Sequence, residues 1–274
     1  MVDFNKVVKL TEKYIEKNAF PILKLLKPMN TDSVEKYISK YYKPDYNMKK
    51  IEKLSEKDLK LAILNKMCHE LQNYQAMPRA INYSFNKNKI CEIVKSKYDN
   101  KTRKKLYDLF REEFSFKEKF YDEYLNDVNF AWKKYSNGLE DTIKFLKKKR
   151  NTKDVLLEIL STQNKDISNC KLKKSIKGLG DALTRDFLKE FCRDDLIKDD
   201  IHIKVIGKEV LEIKNGNKFV ETFLNLCKDN NYVPYYIDKI FWLCCTGNFY
   251  KHEVIITSFN RDKFIDYLNK NLNK

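Results

Sequence analysis

Glycine and proline are both scarce in this sequence, with six and five residues respectively in a chain of 274. β-Sandwiches and β-barrels need many tight turns, and those turns depend on these two residues. Long stretches rich in Lys, Glu, Leu and Ile occur instead, which is typical of helices. We therefore expect an all-α protein, and the 42% of hydrophobic residues is enough for a substantial core.

A long uncharged apolar run is also missing. No 18-residue stretch is free enough of charge to span a bilayer, and the amino terminus from Met1 to Lys6 does not have the layout of a secretory signal. These absences predict a cytoplasmic protein with no membrane partner, associated with the nucleoid if its source is bacterial.

Cysteines in a metal-binding arrangement are a third absence. The seven cysteines are scattered and odd in number, and none has the C-x-x-C or Cys/His spacing of a zinc site. We expect free thiols, most of them buried, and no metal site.

Positive charge is abundant. The chain has 55 Lys and Arg against 39 Asp and Glu, a net charge of +16 and a pI near 9.3. This balance suits a polyanionic partner, because each neutralised phosphate releases condensed counterions. All but seven of the cationic residues are lysine, however, which an AT-rich genome would explain equally well. More specific residues must therefore decide the function.

Apolar spacing and capping residues divide the chain into helices. The capping box from Ser55 to Asp58 predicts a helix that ends near residue 72, Asn137-Gly138 is a plausible helix stop, and Thr152 is a candidate N-cap. No strand pattern competes strongly. The other helices are expected near 7–26, 31–42, 79–85, 88–98, 102–113, 116–136, 140–149, 153–160, 181–192, 217–228, 233–245 and 261–272.

The most informative stretch runs from Ile176 to Arg185, where Lys177-Gly178-Leu179-Gly180 precedes a helix. Two glycines let a turn adopt positive φ and let the backbone approach a ligand, while the N–H groups that open the next helix point at a phosphate. This is a helix-hairpin-helix pattern, which binds DNA without reading its sequence. A nucleotide-binding Gly-rich loop would need a different spacing. A simple helix cap is the remaining alternative.

Asp200 follows Gly180 by twenty residues and is itself followed by Ile201 and His202. With this spacing, the segment 165–210 resembles the helix-hairpin-helix (HhH-GPD) DNA glycosylase superfamily, which contains endonuclease III, adenine-mismatch glycosylases and alkylpurine glycosylases. The resemblance implies that residues 1–274 form a single two-lobed helical unit, with the catalytic aspartate at the junction of the lobes.

The resemblance also implies roles for individual residues. Asp200 would be the catalytic carboxylate, with Asp199 as the fallback. A fixed anion stabilises the positive charge that builds on the sugar when an N-glycosidic bond breaks, and it can orient or deprotonate water. His202 and Trp242 are supporting candidates, although both are more readily explained as packing residues. The DNA-binding residues would be Lys177, Gly178, Leu179, Gly180, Ala182 and Thr184.

Ala182 occupies the position at which bifunctional members carry a lysine nucleophile. The resemblance therefore implies a monofunctional glycosylase that hydrolyses the bond with water, leaves an abasic site and lacks lyase activity. Cys227, Cys244 and Cys245 do not match the superfamily's four-cysteine iron–sulfur motif, so no cofactor is expected. The expected partner is double-stranded DNA with an extruded base, bound by a monomer.

Gln72, Asn73 and Tyr74 are wedge candidates, because superfamily members carry a loop at this place that intrudes into the duplex. An ordinary polar loop explains these three residues equally well.

Two other functions stay open. A non-catalytic helix-hairpin-helix protein would bind DNA through Gly178 and Gly180 and would not need Asp200. A helical interaction or scaffold protein would use Gly-Leu-Gly merely as a helix cap. The sequence does not identify the excised base.

Overall fold

Helices dominate the computed structural model, which describes residues 2–26, 29, 31, 33–72, 131–148, 151–214, 216 and 218–272. The helices are α1 Phe4–Asn18, α2 Phe20–Leu26, α3 Val34–Tyr41, α4 Met48–Lys53, α5 Glu56–Gln72, α6 Ala131–Lys148, α7 Thr152–Leu160, α8 Lys171–Ser175, α9 Asp181–Phe191, α10 Ile201–Glu209, α11 Phe219–Asp229, α12 Pro234–Thr246 and α13 Arg261–Leu272. The expected all-α character is confirmed.

Three elements were not expected from the sequence. They are the short helix α4, a 3₁₀ helix over Asn164–Asn169, and an antiparallel pair of two-residue strands, β1 Asn248–Phe249 and β2 Val254–Ile255. The helices predicted between residues 79 and 130 lie outside the described residues.

The chain divides into two compact units. The terminal unit comprises Met1–Asp45 and Leu188–Lys274, and the central unit comprises Tyr46–Phe187. Helix α9 begins in the central unit and ends in the terminal unit. The segment 165–210 therefore contributes to both, with Gly178 and Gly180 in the central unit and Asp200 in the terminal unit.

Helix α12 forms the centre of the terminal unit. Pro234 occupies its first turn, and Gly247, at φ 63°, ends it in the left-handed conformation. The helix is apolar on nearly every side, and Ile237 and Phe241 are fully buried. It packs against α1, α3, α10, α11 and α13. The terminal unit is thus built around one buried helix.

In the central unit, α5 packs against α6 and α7. The predicted N-cap at the start of α5 is confirmed, since the Ser55 hydroxyl accepts the Asp58 N–H at 3.1 Å, and the same hydroxyl donates to Asp58 Oδ2 at 2.6 Å. The prediction that Thr152 caps α7 was wrong by one residue. Asn151 is the N-cap, since its Oδ1 atom accepts the Asp154 N–H at 3.3 Å, while Thr152 donates both its hydroxyl and its N–H to the Glu56 carboxylate.

The predicted helix stop at Asn137-Gly138 was also wrong, because α6 continues through both residues to Lys148. Gly138 instead allows a close approach. A Cβ atom at this position would lie 2.8 Å from the Lys177 carbonyl oxygen and 2.9 Å from the Leu71 Cδ1 atom. The glycine is therefore a contact point between α6, α5 and the turn that holds Lys177.

We expect Gly138→Ala to destabilise the protein by about 1–3 kcal/mol, because overpacking outweighs the gain in helix propensity. Urea denaturation followed by circular dichroism measures this change. Lys147→Ala on the exposed side of the same helix is the control, with an expected change within about 0.5 kcal/mol. An unchanged or higher midpoint for Gly138→Ala would contradict the close approach.

Candidate nucleic-acid interface and catalytic carboxylate

The turn from Ile176 to Gly180, which we call the hairpin, joins α8 to α9. Gly178 has φ 88°, a conformation that favours glycine, and is partly exposed. The side chains of Ile176 and Leu179 are 2% and 4% exposed and anchor the turn in the core. Lys177 and Gly180 are exposed, and a Cβ atom added to Gly180 would meet no atom of the described residues within 4 Å other than those of its chain neighbours. The turn therefore presents bare backbone and one lysine at its surface.

Hydrogen bonds fix the shape of this turn. The Lys177 N–H donates to Asp141 Oδ2 on α6 at 3.1 Å. Thr184 donates both its N–H and its hydroxyl to the Gly180 carbonyl at 2.9 Å. Thr184 is fully buried. The side chains of Thr184 and Leu179 thus support the hairpin from inside, and the surface open to a ligand comes from the remaining residues.

Asp181, the first residue of α9, ties the two arms of the hairpin together. Its carboxylate pairs with Lys173 on α8 and accepts the Ser168 hydroxyl at 2.6 Å. Burial on its own would raise the pKa of Asp181, but the hydrogen bonds from Lys173 and Ser168 and the charges of Lys173 and Arg185 lower it overall. Lys173 therefore offsets the negative charge that Asp181 places at the start of α9.

Asp200 is the N-cap of α10. Its Oδ1 atom accepts the N–H groups of His202 and Ile203 at 2.9 and 3.2 Å. The described residues offer Oδ2 no hydrogen bond, and the residue is only partly buried. One carboxylate oxygen is thus fixed by the helix, while the other is available to a ligand.

The neighbours of Asp200 have other contacts. Asp199 lies 3.4 Å from Lys204 Nζ in an ion pair. His202 gives its backbone N–H to the cap, and its ring is half-buried. Trp242 on α12 lies beside Tyr250, with ring centroids 5.8 Å apart, and beneath Lys239 Nζ at 6.0 Å. Trp242 therefore packs beside Lys239 and Tyr250.

The sequence reasoning missed a group of buried charges that we call the ion cluster: Lys189 and Glu190 on α9, and Asp238 and Lys239 on α12. Lys189 pairs with Asp238, and Lys239 Nζ lies 2.5 Å from Glu190 Oε1. Lys189 and Asp238 are 2% and 3% exposed. The sequence signal for this cluster is the charged pair 238–239 in the middle of an otherwise apolar helix.

The remaining sequence predictions concern Ala182, the wedge candidates and the cysteines. Ala182 is a partly buried helical residue. Gln72 is the last residue of α5, and its side chain, like Asn73 and Tyr74, lies outside the described residues. The expected free thiols are confirmed for the described cysteines: Cys170, Cys227, Cys244 and Cys245 are buried and Cys192 is half-buried. Burial raises the pKa of the Cys227 thiol to about 12.

The described part of the chain has neither a metal-binding group nor a membrane-spanning helix. There, no three His, Cys, Asp or Glu side chains are grouped so that they could hold a metal ion. No helix in the same ranges is both long and apolar enough to cross a membrane.

Comparison with known proteins gave no relative. No family model matches the chain, and neither does a curated protein or a solved structure. Function must therefore be inferred from the residues of the hairpin and from Asp200.

The cap at Asp200 gives a stability prediction. Asp200→Ala removes the acceptor for two N–H groups and should cost about 0.5–2 kcal/mol, whereas Asp200→Asn keeps an acceptor and should cost less than about 0.5 kcal/mol. Asp199→Ala is the control, because a partly exposed ion pair contributes at most about 1 kcal/mol. The free energy of unfolding in urea measures all three. Equal stability of Asp200→Ala and wild type would show that the cap contributes nothing.

Proposed function

We propose that this protein is a monofunctional DNA glycosylase that binds the phosphate backbone of double-stranded DNA through Lys177–Gly180 and hydrolyses an N-glycosidic bond with Asp200. The observation that carries the proposal is the open hairpin, in which bare backbone at Gly178 and Gly180 is exposed beside Lys177. The protein would act as a monomer on an extruded base.

The hairpin supports phosphate binding in three ways. The space around Gly180 lets a phosphate approach the main chain, since in the described part of the chain only its sequence neighbours come within 4 Å of a Cβ atom added there. Helix α9 begins directly after Gly180 and directs its first N–H groups toward that side. Lys177 adds a positive charge to a chain whose net charge is +16. These features suit contacts that are independent of DNA sequence.

Asp200 has the properties that glycosidic hydrolysis requires. Two N–H groups hold Oδ1, so the carboxylate has a fixed orientation, and Oδ2 is available to face a sugar. In the reaction the bond from C1′ to the base nitrogen breaks, the base leaves with the bonding electrons, and a bond from water to C1′ forms. The carboxylate stabilises the cationic sugar and accepts the proton of the water. With Ala182 in place of a lysine nucleophile, water completes the reaction.

A second candidate function is supported by the same cap. N-capping alone explains why an aspartate stands at position 200, since it satisfies two N–H groups of α10. A non-catalytic helix-hairpin-helix protein would use the hairpin to bind DNA and Asp200 only for stability. The two functions differ in whether a base is excised from the DNA.

DNA binding by the hairpin is tested with a fluorescently labelled duplex over a range of salt concentrations. Lys177→Gln should weaken binding and reduce the slope of log K against log salt by about one. Gly180→Ala should weaken binding by about tenfold, because a methyl group would separate the phosphate from the backbone. Lys9→Gln in the terminal unit is the charge-matched control and should match wild type. Wild-type binding that is absent or independent of salt would support a helical interaction protein instead.

Excision is tested by incubating wild type with duplexes that contain uracil, alkylated purines, 8-oxoguanine or mismatches, followed by alkaline cleavage of abasic sites. We expect wild type to excise a base from at least one duplex. Asp200→Asn, which keeps the cap, should lose about 10²-fold or more in rate while still binding DNA. Asp199→Asn is the matched control for loss of one negative charge.

The outcomes separate the candidates. Loss of excision in Asp200→Asn but not in Asp199→Asn supports the proposed glycosylase, and the reverse result transfers the catalytic role to Asp199. Salt-dependent binding by wild type without excision on any duplex supports the non-catalytic DNA-binding protein.

A further inference from the structure

Asp238 connects the ion cluster to the segment that carries Asp200. It lies on α12 and is 3% exposed. Its two oxygens have different partners: Oδ2 pairs with Lys189 Nζ, and Oδ1 accepts the backbone N–H of Lys198 at 2.8 Å. One buried side chain thus binds both the end of α9 and the chain two residues before Asp200.

From Lys198 the hydrogen bonds continue to the catalytic carboxylate. The Lys198 carbonyl accepts the Asp200 N–H at 2.8 Å, which closes a tight turn. Asp200 Oδ1 then accepts the first N–H groups of α10. The position of Asp200 is therefore fixed on its carboxyl-terminal side by α10 and on its amino-terminal side by Asp238.

The ion cluster offsets the cost of burying Asp238. Lys189 Nζ lies 3.4 Å from Glu190 Oε1, which also contacts Lys239 Nζ, and the Tyr235 hydroxyl donates to the other oxygen of Glu190 at 3.3 Å. Lys239 Nζ lies 5.3 Å from the centroid of the Tyr235 ring. These pairs contribute to stability, because a buried charge without a partner is costly, whereas the hydrogen bond to the Lys198 N–H is made by Asp238 alone.

We propose that Asp238 is a positioning residue for base excision, which holds Asp200 in its catalytic place through the Lys198 N–H. The inference rests on the proposed glycosylase function. A displacement of about 1 Å at a reacting group lowers a rate by about 10²-fold, so loss of this one bond should affect catalysis more than DNA binding.

Three variants separate positioning from general stability. Asp238→Ala removes the ion pair with Lys189 and the hydrogen bond from the Lys198 N–H. Asp238→Asn keeps an oxygen that can accept the Lys198 N–H. Lys189→Met removes the ion pair but leaves the hydrogen bond from the Lys198 N–H in place. Asp238→Ala and Lys189→Met should both lower the melting temperature, since each breaks the same buried pair. Lys189→Met is therefore the matched control for destabilisation.

The decisive readout is single-turnover excision with the enzyme in excess over damaged duplex, well below the melting temperatures of all variants. Asp238→Ala should slow the saturating rate by about tenfold or more with DNA affinity within about twofold of wild type. Asp238→Asn should recover most of that rate, and Lys189→Met should stay within about twofold of wild type. Equal slowing by Asp238→Ala and Lys189→Met, or no slowing by Asp238→Ala, would overturn the proposal.

Hydrogen exchange gives a second readout that does not depend on activity. The Lys198 and Asp200 amides should exchange faster in Asp238→Ala than in Lys189→Met. Unchanged exchange overturns the positioning role whatever the rates are. If wild type excises no base, the proposed function fails. Faster exchange of the Lys198 and Asp200 amides in Asp238→Ala would then show that Asp238 orders the structure only, which also overturns the positioning role.

Discussion

The buried pair of Asp238 and Lys189 is the interaction on which the packing of α12 against the end of α9 depends. Removing two charges from water is costly, and the cost is offset only when partners and hydrogen bonds occupy the charged groups. Asp238 meets this condition by giving one oxygen to Lys189 and the other to the Lys198 N–H. The same requirement that keeps the pair together therefore determines the path of the chain toward Asp200.

The hairpin in the central unit depends on a different constraint. Helix α6 packs closely against it at Gly138, a residue that has no side chain. Helix α6 approaches the Lys177 carbonyl so closely at Gly138 that a methyl group would have no room. One turn further along α6, Asp141 accepts the Lys177 N–H. With Leu179 buried beneath it, the turn is held from three sides, and its exposed glycines remain available to a ligand. A rigid turn with bare backbone suits phosphate contacts, because little ordering is required when DNA binds.

Under the proposed function, Asp200 serves structure and chemistry together. Capping uses Oδ1, and the proposed catalysis uses Oδ2, so the two roles do not compete for the same atom. The cap also restricts the side-chain rotation that would otherwise have to be ordered in the transition state. Asparagine can cap a helix but carries no charge, so at this position it can fill only the structural role.

Local patterns in the sequence were sufficient for the helical class, for the N-cap at Ser55 and for the position of the hairpin glycines. Each depends on residues within one or two turns of one another, which is the range over which periodicity and capping act. Gly138 and Thr152 were misjudged because their roles depend on distant partners. The Thr152 N–H is taken by Glu56, 96 residues earlier in the chain.

The ion cluster shows most clearly that local sequence patterns do not reveal distant partners. The sequence by itself determined that 238–239 is a charged pair within an apolar helix. Only the tertiary structure decided that Asp238 meets Lys189, 49 residues away, and the Lys198 N–H, 40 residues away. Burial is a property of the packed fold, and whether a charge is paired depends on which distant segment the core brings beside it.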